Sequence, residues 1–356
     1  MTRFVQLHFL TAYPPSNPNR DDQGRPKTAI YGGATRLRLS SQSLKRAARL
    51  SDAMNEALKG HMGERTQRLG EEVLRHLVDK GANDRQAGEI AKIIADTFGK
   101  LDDAAIKKNP SHVRIRQLAF ISPEERKTAF EWADRMFAGE EAPGNLKEQV
   151  LRTADGAVDV AMFGRMLADD PEYNREAAVQ VSHAITTHRT IVEDDWYTAV
   201  DDLKQPAEDA GAGFVGEAGF GSGVYYLYAC VDTGLLVKNL DGDRDLARLA
   251  IAAVAEAFAT SSPSGKRNSF SHHTRAGYIR AESGSQQPRS LASAFLKPVT
   301  GDDLMGASVL ALEEMAGKFD QAYGPQSDSH VTMNVAEAQG DLVAIKSFVS
   351  RQIADE

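Results

Sequence analysis

Residues 32–49, GGATRLRLSSQSLKRAAR, bring together the residue types that bind oxyanions. Ser40 or Ser41 is placed to cap a helix, which would leave first-turn amides and the positive end of the helix dipole facing outward. Lys45 and Arg49 stand four apart on one helical face with Gln42 about a turn before them, so hydroxyl, amide and cations can converge on a phosphate. Arg36 and Arg38 share one face of a strand leading into that site, and Arg46 belongs to the same basic run. Nucleophilic chemistry fails on spacing: an S-x-x-K motif needs serine three residues before Lys45, and that residue is Gln42. A second basic turn, Gly265, Lys266 and Arg267 in SSPSGKRNS, reads as a further phosphate contact.

The run HAITTHRTIVEDDWYTAVDDL gathers His183, His188, Glu193, Asp194, Asp195, Asp201 and Asp202, which raises a metal-dependent nuclease. Histidines five apart meet on neither a helix face nor a strand face, and adjacent aspartates in a strand point oppositely, so the spacing argues against a metal centre. Trp196 and Tyr197 in the same run either pack onto a neighbour or stack on bases. GAGFVG, residues 211–216, matches G-x-G-x-x-G, but that motif needs a strand before it and a helix after. KQPAEDA and SGVYYLYACV flank it instead, so it reads as a glycine-rich hairpin tip and no dinucleotide cofactor is expected. His272 and His273 have no recognisable partner spacing, and the signature of an RNA-recognition motif is absent.

These side chains need elements to hold them. Val5, Leu7 and Phe9 alternate with Gln6 and His8, predicting a half-buried strand over Phe4 to Leu10. Pro14, Pro15, Asn17, Pro18, Asn19 and Pro26 predict a long loop that carries Arg20, Arg25 and Lys27. Beyond residue 51 the period becomes helical. DRQAGEIAKIIADTFGK carries an apolar stripe, and SPEERKTAFEWADRMFAG has Ser122 as cap, Pro123 at the first position, Glu125 completing a capping box and Gly139 at the end. VDVAMFGRM, AVQVSHAITTHRTIV, SGVYYLYACVD and NSFSHHTRAGYIRAE read as strands, and DRDLARLAIAAVAEAFAT as an amphipathic helix capped by Asp243. That order predicts an α+β fold, a ferredoxin-like sheet split by a helical insertion.

The 356 residues carry a net charge of −8, which at first argues against a polyanionic partner. Residues 1–49, however, hold nine Lys and Arg against Asp21 and Asp22, a local net of +7 that leaves −15 on the remainder. A basic head on an acidic body fits a polyanion groove on one side and partner contacts on the other. One cysteine, Cys230, excludes disulfides and cysteine metal sites within a chain and reads as a small core residue. No window approaches a membrane span, and the cytoplasm is the expected compartment.

Three of these motifs carry a family resemblance: NRDDQGRPKTAIYGGATRLRLSSQSLKRA, SHAITTHRTIVEDDWYTAVDDL and GFGSGVYYLYA. They resemble the CasC family, the backbone subunits of the type I-E CRISPR surveillance complex Cascade. The resemblance implies a right-hand shape: a ferredoxin-like, RRM-like palm (1–55 and 181–356), an inserted helical finger domain (56–180) and a β-hairpin thumb (190–222). It implies a non-catalytic subunit, without cofactor or metal, that polymerises head to tail along the spacer part of CRISPR RNA (crRNA). Its partners would be crRNA, target DNA through the guide heteroduplex, further copies of itself, and the other Cascade subunits: the large and small subunits, the subunit that binds the 5′ handle and the crRNA-processing endoribonuclease. No membrane is involved. By motif, Arg20, Lys27, Ser40, Gln42, Lys45 and Arg49 would hold the RNA backbone, joined by Arg36, Arg38, Arg46, Lys266 and Arg267. Met166 would wedge beside a displaced base, and Trp196, Tyr197, Thr198 and Val200 would lie over the guide. A metal-dependent ribonuclease built on the acidic cluster at 193–202 is the alternative.

Overall fold

The computed structural model describes residues 3–167, 169–199 and 214–354. The alternation at the N terminus forms a 13-residue strand, β1 (Phe4–Ser16). The other strands are β2 (Thr28–Tyr31), β3 (Ala34–Leu39), β4 (Glu64–Thr66), β5 (Ala119–Ile121), β6 (Val179–Val181), β7 (Ala184–Thr186), β8 (Glu193–Ala199), β9 (Phe214–Asp232), β10 (Tyr278–Gly284) and β11 (Ser329–Asn334). The main sheet runs β11-β10-β1-β9-β7-β3-β2, with β6 and β8 paired to other stretches of β9. Its ladders are antiparallel, and β4 and β5 make a separate ribbon.

Val5, Leu7 and Phe9 face an apolar layer made by the helices Arg244–Thr260 and Leu342–Ser350. Phe9 meets Phe258 edge to face at 6.1 Å, and side chains of this size each contribute about 1.5–3 kcal/mol when fully buried. Asp243 caps the longer of these helices, its carboxylate accepting from the Leu246 amide at 2.9 Å.

The opposite face of β1 departs from the half-buried strand that the alternation predicts. Gln6 and His8 are also buried, because the helix Leu304–Tyr323 and the segment holding Leu291 and Phe295 cover that side. Polar groups there are answered by one another. Glu282 accepts from Arg280 Nε at 2.6 Å and from Arg289 Nη1 at 2.5 Å, while Arg280 Nη1 donates to Glu313 at 2.7 Å. The Tyr226 hydroxyl accepts from the Leu291 amide at 3.0 Å and lies 2.9 Å from His8 Nδ1. The same hydroxyl lies 3.5 Å from Ser290 Oγ, and His8 Nε2 faces Glu282 at 3.8 Å.

Residues 69–151, joined by Leu167, have their own apolar cluster, built from the helices Leu69–Asp79, Asp84–Asp96 and Pro123–Phe137. The Ser122 capping box forms as the spacing predicts: Ser122 Oγ accepts from the Glu125 amide and Glu125 from the Ser122 amide, both at 3.0 Å. The Glu125 carboxylate also receives Arg165 at 2.7 Å, and Arg175 meets Asp155 at 2.6 Å; both pairs are buried.

Two predicted strands need correction. VDVAMFGRM is a helix over Val158–Phe163, stopped at Gly164 with φ of +79°. Its Val-rich composition mimics a strand, yet Val158, Val160, Ala161 and Met162 are all buried, so apolar content alone could not separate the two forms. In NSFSHHTRAGYIRAE only the end is strand, as β10; its start holds the short helix Arg267–Phe270.

Candidate nucleic-acid interface

The basic run folds as the helix Ser41–Arg49 after β3. Ser40 is the cap: its hydroxyl oxygen accepts from the Ser43 amide at 3.4 Å and its own amide donates to Asn19 at 2.8 Å. The Ser40 side chain is thus engaged with the protein. The Ser41 amide donates to His183 Nδ1 at 2.9 Å, and among the described residues the Gln42 amide meets no acceptor. His183 then presents Nε2 as a donor when neutral. Burial first, then Arg38 and Lys27 nearby, lower the pKa of this ring. Three cationic or donor groups, Lys27, Arg38 and His183, therefore gather beside the start of the helix. Sequence spacing placed His183 only in a metal cluster, since its partner Ser41 lies 142 residues away.

Lys45 and Arg49 lie one turn apart and differ in what they touch. Lys45 Nζ sits 5.8 Å from the Phe163 ring centroid, half-buried, and burial lowers its pKa. Arg49 Nη1 reaches the buried Asp159 at 3.4 Å while its guanidinium covers Phe120 at 5.0 Å. Arg49 thus ties the helix to the helical block. Among the described residues no carboxylate pairs with Arg20, Lys27, Arg38, Lys45 or Arg46.

Arg36 is corrected. It is fully buried, and its guanidinium donates to the carbonyls of Thr186 at 2.9 Å, Phe295 at 2.8 Å and Tyr31 at 3.4 Å, so it holds the sheet and offers a ligand nothing. Arg38 alone of the strand pair reaches the surface.

Lys266 and Arg267 come back beside the N-terminal head. A Cβ on Gly265 would lie 2.4 Å from the Pro18 carbonyl oxygen, so this turn packs against the 17–27 loop at a distance only glycine permits. Lys266 shares a cleft with Arg20, Gln23 and Arg25, and Arg46 shares another, of about 760 Å³, with Arg267, His273 and Arg275. Arg267 is partly spent, donating to the Ser262 carbonyl at 2.5 Å.

A hairpin of β8 and β9 rises from the same loop. Arg25 bridges both strands, to Asp194 at 2.7 Å and Glu217 at 3.6 Å, and Asn17 donates to the Gly24 and Gly219 carbonyls at 2.9 and 2.8 Å. Trp196 and Thr198 point to one face and Tyr197 to the other, where its ring crosses Gly216 and lies 6.1 Å from Phe214. Trp196 is 69% exposed. Val200, Asp201, Asp202 and the glycines of GAGFVG before Phe214 lie outside the described residues. Met166 is 75% exposed beside exposed Leu118. His188 is a structural group: Nδ1 meets the Arg189 carbonyl at 3.0 Å and Nε2 accepts from the Val224 amide at 3.2 Å. Cys230 is buried, its thiol pushed up to about 11 mainly by that burial.

Because the Arg25 pairs are partly exposed, Arg25→Ala should cost no more than about 1 kcal/mol of global stability. The hairpin base loses its clamp, however. Chymotryptic cleavage around Trp196 and Phe214 is expected to speed up several-fold with little change in thermal midpoint; an unchanged cleavage rate would show that the clamp is dispensable.

A search of curated proteins finds no match. Solved structures do match along the whole chain. One, named "CRISPR RNA-guided surveillance complex, pre-nicking", is 29% identical with a TM-score of 0.84, covering 98% of this chain and 100% of its own. Another, named "CRISPR RNA-guided surveillance complex", is 25% identical with a TM-score of 0.74, covering 98% and 99%. The family described as CT1975-like protein matches residues 5–354, so the chain, with its capped basic helix, split sheet and aromatic hairpin, belongs to the CT1975-like protein family.

Proposed function

We propose that this protein is a non-catalytic backbone subunit of a Cascade-type CRISPR surveillance complex, binding crRNA and polymerising head to tail along its spacer. The observation that carries the reading is the full-length likeness to chains of RNA-guided surveillance complexes. The gathering of unpaired cations from three distant segments on one surface supports it. In this reading 1–55 and 181–356 are a ferredoxin-like palm, 56–180 the finger domain and 190–222 the thumb. Arg20, Lys27, Arg38, Gln42, Lys45, Arg46 and Lys266 hold phosphates and 2′-hydroxyls, Ser40 shapes the helix start, and Arg49 and Arg267 contribute with the donors the protein leaves them. Trp196, Tyr197 and Met166 meet the guide at the ends of each segment. Backbone contacts leave base edges free, so pairing of guide with target DNA supplies specificity.

The ribonuclease alternative is less well supported. Asp194 is held by Arg25, and Asp195 faces the other side of β8. Co-expression with a repeat array and the sister subunits should yield protein that retains RNA of repeat-spacer length, and added Mg²⁺ should leave that RNA intact. Purification free of RNA would overturn the proposal, and cleavage would favour the enzyme.

A further inference from the structure

Phe120 in β5 stands opposite Arg65 in β4, and two guanidinium groups meet its ring. Arg65 Cζ lies 5.6 Å from the ring centroid and Arg49 Cζ lies 5.0 Å from it. One turn before Arg49, Lys45 covers Phe163 at 5.8 Å. Three cations, each backed by an aromatic ring, therefore run from the helix Ser41–Arg49 onto the helical block. Of these three cations Asp159 pairs with Arg49; among the described residues no carboxylate pairs with Lys45 or with the exposed Arg65. Several other arginines of the block are neutralised, among them Arg114 by Glu71, Arg116 by Asp103 and Arg126 by Glu64. A ring contact leaves a guanidinium charged while restricting its motion, which suits a phosphate and not a fold-stabilising ion pair. Two residues before Phe120, Leu118 joins Met166 in one cleft, an exposed apolar ledge that fits unpaired bases better than a duplex exterior.

We propose that Arg65, stacked on Phe120, is a phosphate contact that carries single-stranded RNA from Lys45 and Arg49 across onto the helical block towards Met166. The inference rests on reading the basic helix as part of a guide track. The test uses the full-length chain and a fluorescently labelled single-stranded RNA of spacer length, titrated at several salt concentrations. Arg65→Ala is expected to weaken binding about three- to tenfold and to reduce the salt slope by about 0.7, the value for one phosphate on a single strand. Arg65→Lys should keep the slope and lose part of the affinity. The thermal midpoint should not move in either variant, since Arg65 is exposed. Wild-type affinity and slope in Arg65→Ala would overturn the proposal. Lys45→Glu, measured alongside, separates the two levels: loss there without loss at Arg65 defeats the inference alone, and loss at neither defeats the guide-track reading as well. Equal weakening of duplex RNA by Arg65→Ala would overturn the single-strand assignment.

Discussion

Reversing charge at Lys27 and Lys45 together is expected to abolish RNA-dependent assembly while leaving the monomer folded. Neither ammonium pairs with a carboxylate among the described residues, and both are only partly buried, so Lys27→Glu/Lys45→Glu removes no ion pair on which the fold depends. Each copy would lose two phosphate contacts and gain two repulsions, a fall in affinity of at least about tenfold per copy. In the proposed filament, repetition would compound it, because each site would be filled in the presence of its neighbours. Size-exclusion chromatography with absorbance at two wavelengths checks the outcome: the variant should elute as RNA-free monomer with a wild-type thermal midpoint. Filaments of wild-type length would remove these lysines from the site. Reversal at Arg49 would by contrast strand the buried Asp159, whose pKa burial already raises despite the Arg49 guanidinium and two backbone amides.

Glu282→Ala should be a severely damaging change to stability, at about 3–5 kcal/mol, because it leaves Arg280 and Arg289 buried without their shared anion. Chemical denaturation reads this directly, and a variant within about 1 kcal/mol of wild type would contradict it. The same network sets a pH dependence. Burial dominates at His8 and lowers its pKa below 6.5, outweighing Glu282. His272 and His188 shift the same way, also chiefly by burial. Burial alone would raise Glu282, but the His8 ring 3.8 Å away and hydrogen bonds from Arg289 and Arg280 hold it well below its ordinary 4.5. In every case the unfolded chain binds more protons, so these groups stabilise at higher pH. The histidine contribution is complete above about 6.5 and is lost as pH falls below it, at up to about 1.4 kcal/mol per unit for each ring; the Glu282 contribution is lost only below about 4.5. A thermal midpoint that is level from pH 8 to 7 and falls towards pH 5 is expected.

Local chemistry made the helix ends readable. Ser40, Ser122 and Asp243 each cap as their spacing predicts, because a cap involves residues within four positions of one another. Burial was harder to read. Alternation places Gln6 and His8 on the face opposite Val5, but only the distant helix Leu304–Tyr323 decides that this face is covered too. Arg36 and Arg38 are near-identical in sequence context, and it is the carbonyls of Thr186 and Phe295 that draw one inside. The charge count supplied the basic head, and the motif resemblance assigned Arg49 to RNA alone; its bond to Asp159, 110 residues away, has no local signal. His183 and Arg65 entered the candidate surface for the same reason, through partners that only the fold brings near.

One strand gives the hairpin its mechanics. β9 runs unbroken for 19 residues, roughly 60 Å at the usual rise per residue, with its buried end laddered to β1 from Asp232 to Gly221 and its exposed end to β8. The hairpin is therefore the overhang of a clamped beam, not a flap on a hinge. A pull along its axis loads the β1–β9 ladder in shear, where many hydrogen bonds share the force at once, so a partner seated on the overhang would strain the central sheet before it could peel the arm away.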